Sequence, residues 1–224
     1  LRWQTRERPN SSYFMFHQLT SAFSLGKYSL AAITGGGGKT SLMYALGKYF
    51  ARSERVLATT TTHIRPPQPG VCEGLFTGTA SECTAAAAAL GGSALIAAAR
   101  GCEGGKLTGF KPEDIDAVSS NGTFDRIFVE ADGSQGLSFK AYEEWEPPVP
   151  YSAAWQIVVA GADALTVPAS PASIFRFYLL RERYQITRGE KLSPVNFAAI
   201  LSSRSEYLKN SPAKAFRLLL LNKC

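Results

Sequence analysis

Residues 33–43 read ITGGGGKTSLM: four consecutive glycines run into Lys39-Thr40-Ser41 and then into an apolar, helix-forming stretch. The preceding YSLAAIT (Tyr28 to Thr34) is apolar and β-branched and reads as a buried strand. The following KTSLMYALGKYF places Leu42, Leu46, Tyr49 and Phe50 at helical spacing. Glycines on a strand-to-helix turn let backbone N–H groups face an anion at the positive end of the helix, with no Cβ in the way. Gly35, Gly36, Gly37 and Gly38 are therefore candidate phosphate-binding positions. Lys39 would reach β- and γ-phosphates, the Thr40 hydroxyl would hold Mg²⁺, and Ser41 follows in the same turn.

The spacing departs from the usual G-x-x-x-x-G-K-[ST], because Ile33 stands where that pattern has its first glycine. The compact G-x-x-G-K-T from Gly35 to Thr40 also occurs in Mur-type ligases. The phosphate chemistry is kept and the family stays open.

Bulk properties allow one domain, or one domain with an appendage, in 224 residues with 45% apolar content. No run of 18 uncharged apolar residues is present, so no membrane span is expected. The first residues lack a secretory apolar core, and Cys72, Cys83, Cys102 and Cys224 are scattered without a C-x-x-C pair. That usage suits a reducing, cytoplasmic setting and argues against a zinc site. The net charge of +6 is uneven: residues 111–150 carry nine acids against three bases, and residues 174–224 carry ten bases against three acids. Solvated helix faces account for the basic region better than nucleic acid, since no aromatic-interleaved basic patch accompanies it.

Apolar segments alternate with helical ones. RVLATTTTHI (Arg55 to Ile64), GLFTG, RIFVEAD (Arg126 to Asp132), WQIVVAGAD and FRLLLLNK read as strands, SALIAAAR as strand or helix, and TAAAAAL and the stretch from Pro112 as helices. This pattern predicts an α/β fold: a mostly parallel β-sheet flanked by helices, a P-loop NTPase-like three-layer sandwich. Ligands of such sheets bind at the carboxyl ends of the strands, where Gly35 to Thr40, Thr59 to His63, Glu130 to Gly133 and Asn222-Lys223 would fall.

In FVEADGSQG an apolar strand ends in acids, as in a Walker-B element. Glu130 and Asp132 are two apart and point to one side of extended backbone, so either can serve the metal and the other the catalysis. In TTTTH, Thr61, Thr62 and His63 are placed at the mouth, either as phosphate or Mg²⁺ contacts or as ordinary strand residues. Asn222-Lys223 follows an apolar run like the start of a guanine-reading N-K-x-D, whose aspartate would stand at position 225. We therefore expect an N-terminal extension over residues 1–27 and a P-loop NTPase-like domain over 28–224 that is cut short at its C-terminus.

Taken together, GGGGKTS, LATTTTHI, VEADGS with Lys140, EPPVP, VVAGADAL, Arg176 and LLLLNK resemble, in order, the YqeC family of selenium-dependent hydroxylase accessory proteins. Trp145 and Phe175 stand where histidines would be common in that family, and an arginine expected near Gln135-Gly136 is missing. The resemblance implies a cytoplasmic nucleotide-binding protein, with ATP or GTP and Mg²⁺ as cofactors. Its partner would be a molybdenum hydroxylase or one of its cofactor-maturation proteins. Lys140 and Arg176 would be further phosphate or substrate contacts. An NTPase maturation factor heads the expectations, with Lys39, Glu130 and Asp132 as its catalytic set. The alternatives are a Mur-like ATP-dependent ligase or kinase, and a non-hydrolysing nucleotide-gated binding protein.

Overall fold

The computed structural model describes residues 30–224, together with the isolated residue 21. The expected extension over residues 1–27, and Tyr28 and Ser29 of the first expected strand, lie outside the described residues.

Seven strands form one sheet: β1 (Leu30–Gly35), β2 (Arg55–Thr60), β4 (Gly74–Thr77), β5 (Ala94–Ala99), β8 (Arg126–Glu130), β10 (Trp155–Gly161) and β12 (Phe216–Asn222). Their order is β12-β10-β1-β8-β2-β5-β4, and every pairing is parallel. Around it lie α1 (Lys39–Phe50), α2 (Ala80–Leu90), α3 (Pro112–Ser120), α4 (Phe177–Tyr184) and α5 (Pro194–Leu201). The protein is an α/β sandwich of the expected class. SALIAAAR resolves as β5, buried at all six positions between β2 and β4. Its small side chains on both faces suit a strand covered on both sides.

Alternation along β1 sorts the core. Ala31 and Ile33 pack with Leu42, Met43, Leu46 and Phe50 of α1 on one face. Leu30 and Ala32 face the opposite layer, where Cys83 and Ala87 of α2 meet Ile115 and Val118 of α3. Burying a side chain such as Met43 or Leu46 contributes about 1.5–3 kcal/mol. A third cluster sets Phe177 and Leu180 of α4 and Phe197, Ile200 and Leu201 of α5 against Val158 and Ala160.

Local chemistry sets the helix starts. Thr79 and Glu82 form a reciprocal capping box at α2, and Pro112 opens α3 at a position where its missing N–H costs nothing. Two small sheets were not anticipated. One is antiparallel, from β3 (His63–Ile64), β6 (Gly101–Glu103) and β7 (Lys106–Thr108). The other pairs β9 (Phe139–Lys140) with β11 (Ile174–Phe175) in parallel. The second one carries Lys140 to the carboxyl end of the main sheet.

Candidate functional site

The glycine loop joins β1 to α1 and is gripped from three sides. Gly35 N–H donates to Asp132 Oδ2 at 2.7 Å. Gly36 N–H donates to the Val159 carbonyl at 2.8 Å, and Gly37 N–H to the Leu137 carbonyl at 3.1 Å. Glycine is required here by packing as much as by any ligand. A Cβ at Gly35, whose φ is +100°, would run into the Val159 carbonyl, and one at Gly36 would sit 2.7 Å from the Leu137 oxygen. With three N–H groups of the loop engaged inside the protein, the donors left for an anion are those of Gly38 and the first turn of α1. That helix has no side-chain cap and no acid in its first turn, so no residue of its own first turn neutralises the positive end of its dipole.

The parallel pairing of β1 with β8 places Ile33 beside Glu130, which brings the two halves of the expected site together. Thr40 Oγ1 donates to Glu130 Oε2 at 2.6 Å. Lys39 is buried, 3% exposed along its side chain, with its ammonium 3.1 Å from Asp132 Oδ1 and 3.7 Å from Glu130 Oε1. It also donates to the Gly35 carbonyl at 2.6 Å and to Ser134 Oγ at 3.3 Å. Ser41 is exposed on the outer side of the turn.

The two acids differ in environment. Burial pushes Glu130 above its ordinary range, with the nearby Asp132 adding to the rise, and Lys39 and the Thr40 hydroxyl only partly oppose it. Burial also pushes Asp132 upward, but Lys39 and Lys140, with Tyr142 and the Gly35 N–H, hold the group below its ordinary range. Glu130 thus presents its carboxyl to the Thr40 hydroxyl, and Asp132 is an anion enclosed by two ammonium groups and a backbone N–H.

Lys140 and Arg176 are not loose surface charges. Lys140 is fully buried, donates to the Gly133 carbonyl at 2.7 Å, and lies 3.5 Å from both Asp132 Oδ2 and Glu146 Oε1. Its ammonium also stands 4.2 Å above the Tyr142 ring. Arg176 pairs with Glu146 Oε2 and approaches Glu143 at 3.5 Å. An unbroken line of alternating charge therefore runs Lys39, Asp132, Lys140, Glu146, Arg176, Glu143.

On the other flank, Thr61 N–H and Thr60 Oγ1 both donate to the Glu130 carbonyl, at 3.1 and 2.7 Å. Thr61 Oγ1 is buried with no hydrogen-bond partner, on a residue whose backbone N–H is held by the Glu130 carbonyl. Thr62 lies next to Gly133. His63 is exposed on β3, paired with Thr108, and takes no part in this cluster. Asn222 Nδ2 donates to the Gly37 carbonyl at 2.8 Å, and Lys223 reaches Ser138 Oγ at 2.8 Å. The carboxyl end of β12 thus fastens the glycine loop. Sequence reasoning missed Ser134, Ser138 and Glu146. Ser134 could have been found from its place two residues after Asp132, and Glu146 from its place at the head of EPPVP.

The family described as "YqeC protein" matches residues 31–178. A relative in Escherichia coli (strain K12), described as "Uncharacterized protein YqeC", is 31% identical over 206 residues, covering 87% of this chain and 76% of its own length. The chain belongs to the YqeC family. No solved structure matches significantly.

The stretch matched to YqeC contains the glycine loop, Glu130, Asp132, Lys140, Glu146 and Arg176, and it ends before Asn222. At the two positions where YqeC proteins were expected to carry histidine, Trp145 is 69% exposed, and the Phe175 ring lies 4.7 Å from the Arg176 guanidinium carbon. Among the described residues no cluster of three or more His, Cys, Asp or Glu could hold a metal by itself, and no helix is long and apolar enough to cross a membrane.

Proposed function

We propose that this chain is a Mg²⁺-dependent ATP- or GTP-binding protein, with nucleotide hydrolysis as its activity, acting in the maturation of selenium-dependent molybdenum hydroxylases. The observation that carries the nucleotide reading is the 2.6 Å contact between Thr40 Oγ1, on the first turn after the glycine loop, and Glu130, at the end of the adjacent strand. A magnesium ion bound through one hydroxyl, one carboxylate, water and phosphate oxygens needs no all-protein cage. Thr40 and Glu130 are the residues to hold it. Asp132 accepts from Gly35 N–H through Oδ2 and faces the Lys39 and Lys140 ammonium groups, and is a charge anchor in this reading.

Bound Mg²⁺ would neutralise charge on the β- and γ-phosphate oxygens. Lys39, turning from Asp132 toward the phosphates, would stabilise negative charge on the phosphoryl group as water attacks. The first-turn N–H groups of α1 would orient the phosphates. Maturation of a molybdenum hydroxylase, or an encounter with its cofactor-maturation proteins, comes from the family resemblance.

The test is calorimetric affinity for ATP and for GTP, with and without Mg²⁺, on this chain and on Lys39→Ala. Binding of one nucleotide that requires Mg²⁺ and is lost in the variant is expected, followed by measurable phosphate release. A folded chain that binds neither nucleotide refutes the reading.

A further inference from the structure

We infer that Lys140 is the resident counter-ion of Asp132, a positioning residue that allows Lys39 to leave Asp132 for a polyphosphate without stranding a buried carboxylate. This inference rests on the nucleotide reading above and adds to it a residue that acts through Asp132.

Four protein acceptors surround the Lys39 ammonium: the Gly35 carbonyl at 2.6 Å, Asp132 at 3.1 Å, Ser134 at 3.3 Å and Glu130 at 3.7 Å. To meet a phosphate Lys39 must exchange some of these contacts. Asp132 is 1% exposed, and removing the only partner of such a group is strongly unfavourable. Asp132 has a second partner. Its Oδ2, which accepts from Gly35 N–H at 2.7 Å, lies 3.5 Å from Lys140. Lys140 is not free to follow Lys39. Its ammonium is tied to the Gly133 carbonyl at 2.7 Å and to Glu146 at 3.5 Å, and its backbone N–H donates to the Tyr207 hydroxyl at 3.0 Å.

Charge pairing survives the departure. With Lys39 on phosphate, Asp132 keeps Lys140, and Glu146 keeps Arg176. Asp132 then remains an acceptor for Gly35 N–H, and the start of the glycine loop keeps its place. A lysine that instead touched phosphate itself would gain nothing from the state of Asp132, which separates the two roles experimentally.

The experiment measures Mg²⁺-nucleotide affinity, using whichever of ATP or GTP the wild type binds, for Lys140→Met, Lys140→Arg, Asp132→Asn and Asp132→Asn/Lys140→Met. Thermal unfolding of each variant without nucleotide runs alongside. Lys140→Met is expected to weaken binding by about ten-fold or more, and Lys140→Arg to recover most of the loss. In the Asp132→Asn background, where no carboxylate needs a counter-ion, adding Lys140→Met should cost less than about three-fold. That background also carries the test if Lys140→Met alone fails to fold, since it removes both buried charges together. Equal affinities for wild type and Lys140→Met, or the same large loss with and without Asp132, overturn the inference and leave nucleotide binding standing. A wild type that binds neither nucleotide overturns both.

Discussion

Replacing Lys39 with methionine should destabilise the chain even when no nucleotide is present. In an open phosphate cradle a lysine has no partner in the empty state, and its removal would be neutral. Here its ammonium lies 3.1 Å from Asp132 and 3.7 Å from Glu130, and it is 3% exposed. Removing one member of a buried ion pair costs about 3–5 kcal/mol. Two features place Lys39→Met at the lower end. Lys140 still faces Asp132 at 3.5 Å, and Glu130, already pushed upward by burial, can take up a proton. The expected loss is thus about 3 kcal/mol, or roughly 6–12 °C in Tm for a chain of this size. Urea denaturation of the two proteins, with equal m-values as the check on two-state behaviour, measures it. Adding Glu130→Gln should return about 1 kcal/mol, because the second buried charge then needs no partner. A loss under about 0.5 kcal/mol for Lys39→Met would refute the reasoning, since it would mean that the buried charges are not coupled.

Gly35→Ala combines a φ of +100° with a collision against the Val159 carbonyl. It should lose at least about 2 kcal/mol and loosen the loop, read as a lower Tm together with faster amide exchange at Gly36. Burial, with Lys39 and Arg176 adding to it and Asp132 opposing, pulls Lys140 from 10.5 down to about 8. Between those values the unfolded chain binds more protons than the folded one, so the cost of burying the ammonium is full below pH 8 and fades as pH rises toward 10.5. Wild-type stability relative to Lys140→Met should rise across that window by at most about 3 kcal/mol; urea titrations at a series of pH values showing no slope would contradict this. Thr79→Ala removes the capping-box hydroxyl of α2 and should cost about 1 kcal/mol in chemical denaturation, without affecting nucleotide affinity.

The main sheet was legible because strands covered on both faces leave apolar runs with sharp ends, as in RIFVEAD and WQIVVAGAD. The glycine loop and the acids after β8 were legible because each sits at a strand end with its own local signature. Which acid meets Thr40 was not. Alternation puts Glu130 and Asp132 on one side, but Asp132 lies beyond the strand and accepts from Gly35 N–H beneath the loop. The strands of two and three residues in the small sheets are too short to carry a period. Helix α4 starts from Arg176 in a left-handed conformation with no cap, so no start signal precedes it. Helix α5 does carry one, the Ser193 cap followed by Pro194. The line from Lys140 through Glu146 to Arg176 joins a strand residue, a loop residue and a helix N-cap, and no spacing rule connects them.

The all-parallel sheet has a consequence for the order in which the protein acquires its site during synthesis. Gly35 to Thr40 leave the ribosome long before the residues that hold them: Glu130 and Asp132, then Val159, then Asn222. At roughly 5–20 residues per second the loop waits about 5–20 s for Glu130 alone. Until then Gly36 has no carbonyl to receive its N–H, and Thr40 has no carboxylate. A nucleotide therefore cannot guide the early folding of this chain. Bound at this loop as proposed, it would only recognise, and by mass action hold together, a sheet whose central strands have already met.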